Sequence, residues 1–423
     1  MRTNSVSTKL GQVHCVSAVK FRGDVKRITA ETQRTQRCAE KKSGLKNMSD
    51  LIEHAFEFAQ QQVRALVKRD PDFYPLYTEK GKWRHSKPAW TRWCDGFLPG
   101  MMWIFHEETG QQEWRELAER YSKPLEHRKD DRKVHDLGFI FYHGTYKRWF
   151  DATVRDGSPD ESLNDVVVHA GQTLALRFND AAGCLRSFHG ENSNFIDIMM
   201  NIGIVFYAAI ETADIAMLEL ALRHCDTTRR TLVRGDGSTA HEGIFDTNSG
   251  EFLKQSTQQG FRGDSCWSRG LAWSLYGFCT VHEITRNPKW LEVAMLNADF
   301  WLSHTDELGI APWDFDAPPN GRLSIDQVDT SASAIAASGL FDLAQLAPTV
   351  AQRQAYRDRA LITVEALADE FLGEGDDDWE GILRGGVYHI HKDLGVDESV
   401  MWGEFFFVEA LQKARRVLMS DML

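Results

Sequence analysis

The chain reads as all-α, a closed ring of six helical hairpins of the (α/α)6 toroid type, with an active-site mouth built from its longer loops. Three observations lead there. From Met48 onward two kinds of segment alternate, one amphipathic with a charged face and one rich in aromatic and small residues; the second kind occurs six times; and its starts lie 41, 61, 70, 62 and 68 residues apart. Each interval has room for one helix, a return helix and the connecting loops. An open helical solenoid is the alternative arrangement of such repeats.

The first amphipathic segment covers about 49–68, where Asp50 and Glu53 suit a capping box and Leu51, Ala55, Ala59, Val63 and Leu66 form one stripe. Similar stretches near 111–122, 161–177, 212–225, 288–304 and 349–372 read as outer helices. The second kind begins at Asp95-Gly96-Phe97, Asp136-Leu137-Gly138-Phe139, Asp197-Ile198-Met199-Met200, Trp267-Ser268-Arg269-Gly270, Asp329-Thr330-Ser331-Ala332 and Asp397-Glu398-Ser399. Helices apolar nearly all round are buried ones, so these are the inner helices. Strand signals are few: Ile244–Thr247 and Glu251–Leu253 flank Asn248-Ser249-Gly250 as a hairpin. Loops at 69–92, 226–265, 306–328 and 373–396 carry most of the Gly, Pro and exposed aromatics and are expected to build the mouth.

Residues 1–47 stand apart, with a charge of +8 against -20 for the remainder and no apolar repeat, and read as a disordered basic N-terminal extension ahead of a catalytic domain at 48–423. The formal net charge of -12 argues against nucleic acid or an anionic membrane as partner. Seven scattered cysteines without a CxxC pair suit reduced thiols in a cytoplasmic protein. No apolar run approaches the roughly 20 residues needed to cross a bilayer.

All inner helices of such a ring run the same way, so their acidic starts gather on one face. Helix dipoles and free N–H groups there suit a carboxylate ligand. Aspartate at a helix start is ordinarily an N-cap, and Asp95, Asp329 and Asp397 are read as caps or pocket walls. His135 reads as a structural hydrogen-bonder, and Asp376-Asp377-Asp378 as a solvated loop. His389 and His391 form an HxH pair that no nearby carboxylate or Cys completes, so neither a metal site nor a cofactor is expected.

Two aspartate motifs, His135-Asp136-Leu137-Gly138-Phe139 and Ile196-Asp197-Ile198-Met199-Met200-Asn201, resemble those of the unsaturated glucuronyl hydrolases, glycoside hydrolase family 88. Ser256-Thr257-Gln258-Gln259-Gly260-Phe261 with Asp264–Trp273 resembles that family's central signature, and Asp329–Ala334 and Gly395–Gly403 extend the likeness over about 50–415. The resemblance implies a glycosidase that releases the terminal 4,5-unsaturated uronic acid of lyase-generated oligosaccharides by hydrating the C4=C5 bond. It also implies Asp197 as general acid and base, Asp136 as its assistant, and Trp90, His241, Gln259, Arg269, Trp273 and Tyr388 as sugar contacts. Gln258 departs from the pattern, standing where several members carry His.

The chemistry asks for such a pair. Protonating C4 of a vinyl ether creates a cation shared between C5 and the ring oxygen, much like the oxocarbenium ion of ordinary glycosidases. A carboxyl that donates this proton is then ready to accept one from water. Asp197 must start protonated, against an unperturbed pKa of about 3.9. Its apolar neighbours, together with an ionised Asp136, are expected to raise it. Arg269 and His241 are expected to meet the substrate carboxylate or hydroxyls, and Trp90 and Trp273 to face sugar rings. Two other activities fit the architecture: unsaturated rhamnogalacturonyl hydrolysis of pectin fragments, and sugar epimerisation, for which no histidine pair stands at the inner-helix starts.

Overall fold

The computed structural model describes residues 47–86 and 90–422. The extension expected at residues 1–47 lies outside these, apart from Asn47. Residues 51–423 form one compact unit. In it, outer helices α1 (51–69), α3 (Gln112–Ser122), α5 (Glu161–Ala175), α7 (Ile215–Leu232), α9 (Pro288–His304) and α11 (Val350–Glu370) alternate with inner helices. The inner set is α2 (Phe97–Thr109), α4 (Tyr146–Arg155), α6 (Ile198–Glu211), α8 (Ser268–Thr285), α10 (Thr330–Leu346) and α12 (Met401–Met422).

Inner helices pack in ring order, with the Gly138–Gly144 segment ahead of α4 making the contact to α6, and α12 packs on α2. That contact closes the ring and sets aside the open solenoid. Close approach is what the small residues supply. A Cβ on Gly277 of α8 would lie 2.5 Å from the Met199 carbonyl oxygen of α6, so an alanine there forces the two helices apart. On α8, α10 and α12 the side chains of Leu271, Leu275, Leu340 and Phe406 are wholly buried. Each such side chain contributes about 1.5–3 kcal/mol through the area it removes from water.

The outer helices fall where the periodicity puts them, and α9 keeps both expected ends. Other boundaries differ for local reasons. Residues 47–50 are already helical, so Asp50 caps nothing; the reciprocal capping box belongs to Thr349 and Gln352 at the start of α11. The second inner segment opens as a π-helical turn, Gly138–Gly144, before α4 begins at Tyr146. Gly138 lies so close to α6 that a Cβ would stand 2.6 Å from the Asn201 Cα. Asp397 opens no helix. It sits in a strand, Leu394–Glu398, with a left-handed φ of 60°, and α12 starts four residues later.

The expected hairpin is present as Glu242–Phe245 paired antiparallel with Phe252–Ser256, and a third strand, Ser193–Phe195, joins its other edge. This small sheet lies just before Asp197 and carries His241 and Glu242 beside it. No helix among the described residues is long and apolar enough to cross a membrane.

Candidate active site

A cleft of about 770 Å³, open mouth included, lies over the inner-helix starts and is lined by Asp136, Asp197, Trp90, Gln259, Arg269, Trp273 and Tyr388. Seven of the eight residues singled out in the sequence thus meet on one wall system. His241 does not reach that wall. It lies 1% exposed behind Phe195 and Trp267, both ring centroids 4.6 Å away. Direct sugar contact by His241 is therefore corrected: its Nδ1 accepts from the backbone N–H groups of Gln258 and Gln259 at 3.2 and 3.3 Å, with the Thr257 hydroxyl at 3.1 Å. The proton then belongs on Nε2, a buried donor without a partner among the described residues.

Asp197 directly precedes α6 yet caps nothing, and its Oδ1 is buried without a hydrogen-bond partner among the described residues. Asn201, one turn along, ties the two aspartate segments together: its Nδ2 donates to the Asp197 carbonyl at 3.2 Å, and its Oδ1 accepts from the Phe139 N–H at 2.9 Å. Asp136 is buried with Oδ1 3.3 Å from His135 Nε2. The Phe188 N–H donates to His135 Nδ1 at 3.0 Å, which puts the imidazole proton on Nε2, the atom nearer Asp136. Burial first, then Arg177, lowers the His135 pKa to about 3, so it acts as a neutral donor.

Burial raises Asp197 to about 7, with Arg269 opposing. Burial also raises Asp136, to about 8, with the Asp197 charge adding to it and Arg128 and Arg177 opposing. The two carboxyls thus share one proton near neutrality. Burial and charge alone leave Asp136 the higher of the two. The orphaned oxygen argues for the opposite division, because ionising Asp197 would leave charge on a buried oxygen with no donor among the described residues.

Arg269 departs from expectation. It is 2% exposed, and its guanidinium donates to Asp329 at 2.8 Å, to Gln259 Oε1 at 2.6 Å, to the Tyr388 carbonyl at 3.0 Å and to the Val387 carbonyl. It also stacks over the rings of Trp267 and Trp402 at 4.5 and 5.0 Å. Where a grip on a substrate carboxylate was expected, Arg269 lines the cleft and forms a buried pair with Asp329 that holds its walls. Asp329 serves that pair with one oxygen and caps α10 through Ser331 with the other. Asp95, unlike Asp329, is not a cap; burial raises it to about 7 although Arg128 stands 3.4 Å away. Trp273 lies at the floor between Phe139 and Phe406, centroids 5.0 and 5.3 Å away. Trp90 is the more open ring, stacked on His389 at 5.3 Å with Lys392 Nζ 4.3 Å over its face.

Several wall residues carried no signal. Phe188, His189 and Phe195 come from the 176–197 connection, which was not among the expected mouth loops, while the 306–328 loop adds nothing to the lining. The HxH pair is divided: His389 faces the cleft, and His391 Nε2 lies 2.7 Å from the Gly260 carbonyl.

No family model matches the chain. A curated relative, the unsaturated glucuronyl hydrolase of Bacillus sp. (strain GL1), is 33% identical over 336 residues, 77% of this chain and 87% of the relative. The chain belongs to the unsaturated glucuronyl hydrolase family. The crystal structure of the Bacillus sp. GL1 enzyme, described as responsible for glycosaminoglycan degradation, superposes with a TM-score of 0.79 at 30% identity, covering 87% of this chain and 97% of that one. A heparin-specific unsaturated glucuronyl hydrolase matches with the same TM-score of 0.79 at 27% identity, over 87% and 98%. The unsaturated chondroitin disaccharide hydrolase of Streptococcus pyogenes serotype M1 is 25% identical over 85% of this chain and 90% of its own length. Family membership sets the epimerase reading aside and makes this chain a glycosidase of the unsaturated uronyl class.

Proposed function

We propose that the cleft binds the non-reducing end of a lyase-generated oligosaccharide and that Asp197 protonates C4 of its unsaturated uronate. The observation that carries this reading is the orphaned Asp197 Oδ1, buried at the cleft wall on a carboxyl whose pKa is raised to about 7. A protonated carboxyl has a proton to give there and no other use for it.

Proton transfer to C4 leaves positive charge on C5 and the ring oxygen, which the Asp136 carboxylate stabilises across a site of low polarity. Asp197, now ionised, takes a proton from the water that attacks C5. The product is a hemiketal; its ring opening frees the aglycone from C1 without attack on the anomeric carbon. Arg128 and Arg177 favour a charged Asp136, and Asn201 holds both segments in register. Buried free cysteines among the described residues suit a cytoplasmic setting.

The reading is tested with unsaturated disaccharides made by lyases from glycosaminoglycans and from pectin. The near-ultraviolet absorbance of the C4=C5 bond is expected to disappear on glucuronyl disaccharides with no added metal. Turnover of pectin-derived disaccharides alone would transfer the assignment to the rhamnogalacturonyl type. Strict dependence on a divalent ion after chelation would contradict the two-carboxylate mechanism.

A further inference from the structure

Gln258, where the chain departs from the family pattern, and its neighbour Gln259 both line the cleft. A primary amide has a donor end and an acceptor end, and the end it shows a ligand is decided by what holds the other. The two glutamines are held by chemically opposite anchors.

Gln258 Nε2 donates to Glu242 Oε2 at 3.0 Å. Glu242 is fully buried and reaches the cleft nowhere. Its other oxygen accepts from the Ser193 hydroxyl at 2.5 Å, and His189 Nδ1 lies 3.4 Å from the same atom. The Ser187 hydroxyl donates to Ser193 in turn, at 2.7 Å, so the Ser193 proton is committed to Glu242. A carboxylate has nothing to donate, so Gln258 has to turn its NH2 towards it. Oε1 is left for the cleft, and no donor among the described residues reaches it.

For Gln259 the logic reverses. Its Oε1 accepts from Arg269 Nη2 at 2.6 Å, and a guanidinium has only donors, so Gln259 shows its NH2 to the cleft. Both backbone N–H groups are meanwhile pinned on His241 Nδ1. The polarity of each amide follows from its anchor and from no choice between the amide atoms.

We infer that Glu242 is a positioning residue that fixes Gln258 as a hydrogen-bond acceptor, so that adjacent glutamines read opposite groups on the sugar: Gln258 an O–H, Gln259 an anionic or carbonyl oxygen. This rests on the functional reading above, within which it assigns substrate selection to a residue that never touches substrate.

The test uses the full-length protein, an unsaturated disaccharide that the wild type turns over, and a series of that disaccharide lacking one hydroxyl at a time. Gln258→Leu is expected to raise KM about tenfold with kcat changed less than threefold. One hydroxyl deletion that costs the wild type about tenfold in kcat/KM is expected to cost Gln258→Leu less than twofold. Glu242→Gln, which frees the Gln258 amide to turn over, is expected to raise KM three- to tenfold, and the double variant to match Gln258→Leu alone, because Glu242 acts only through that side chain. Multiplying losses in the double variant would overturn the inference, as would hydroxyl deletions that cost wild type and Gln258→Leu equally. That last comparison stands even where Glu242→Gln does not fold. A wild type inert on every unsaturated disaccharide would instead overturn the functional reading, and the inference with it.

Discussion

Two sets of buried acids sit in the same ring and are tuned in opposite directions. At the open face, Asp136 and Asp197 are raised to about 8 and about 7. About two helical turns further along the inner helices, Glu409 is lowered to about 2. Burial pushes all three up. The difference is company: Glu409 meets Arg148 at 2.8 Å, the Tyr276 hydroxyl at 2.8 Å, the Ser338 hydroxyl at 2.6 Å and Lys413 at 3.7 Å, with Lys413 held in turn by Asp342 at 2.6 Å. That network joins α4, α8, α10 and α12. Asp197 Oδ1 has no hydrogen-bond partner among the described residues. One end of the barrel satisfies its charges and binds the ring together; the other leaves a proton in an unfavourable place, where chemistry can use it.

The largest effect is expected where the unsatisfied end is disarmed. Asp197→Asn has no carboxyl proton to donate and should lose turnover by several powers of ten, with Asp136→Asn losing on the order of 10²–10³. Steady-state rates on an unsaturated disaccharide check both, and near-normal turnover in Asp197→Asn would break the contrast.

Stability should respond in the opposite sense. Glu409→Gln strands Arg148, while Lys413 keeps Asp342, and breaking a buried pair of this kind costs about 3–5 kcal/mol. Thermal unfolding at pH 8 is expected to show a marked fall in Tm for Glu409→Gln and none for Asp197→Asn, which removes a carboxyl that resists ionisation. The signs differ with pH. A raised carboxyl stabilises fully below its unfolded pKa of about 4, and that stability is lost as pH rises through about 7 to 8; Glu409 stabilises above about 4.5, and loses its effect as pH falls through about 2. The Tm advantage of Asp197→Asn over wild type should therefore be larger at pH 8 than at pH 5.

Arg269 belongs to both ends of this comparison. Its pair with Asp329 is buried, so Arg269→Ala should lower Tm and kcat/KM together; loss of activity at unchanged Tm would restore it to a direct substrate role. The smallest effect expected is in the pH profile. Activity should decline as pH rises through about 8, where the last proton leaves the pair, and a profile flat to pH 9 would argue against Asp197 as the acid.

The helical ring was legible because apolar spacing is a local property: stripes such as Leu51, Ala55, Ala59, Val63 and Leu66 carry their own register. Asp136 and Asp197 were legible through their motifs. What the sequence hid is tertiary. Arg269 and Asp329 were both singled out, yet nothing local shows that residues sixty apart neutralise each other. Glu242, next to His241, gave no sign that it is buried under Gln258. The strand at Leu394–Glu398 displaced the start expected at Asp397, since a left-handed φ at a non-glycine residue leaves no compositional trace. The π-helical turn at Gly138–Gly144 answers to Asn201 of a neighbouring helix, not to its own sequence.

The central claim is that the double bond, not the anomeric carbon, is attacked. Turnover of an unsaturated disaccharide in water containing methanol tests it most directly, because methanol takes the place of the attacking water and marks the carbon it reaches. The account predicts a methyl ketal at C5, still carrying its aglycone on C1 and lacking the C4=C5 absorbance. A methyl glycoside at C1, with the double bond intact and the aglycone released, would contradict it.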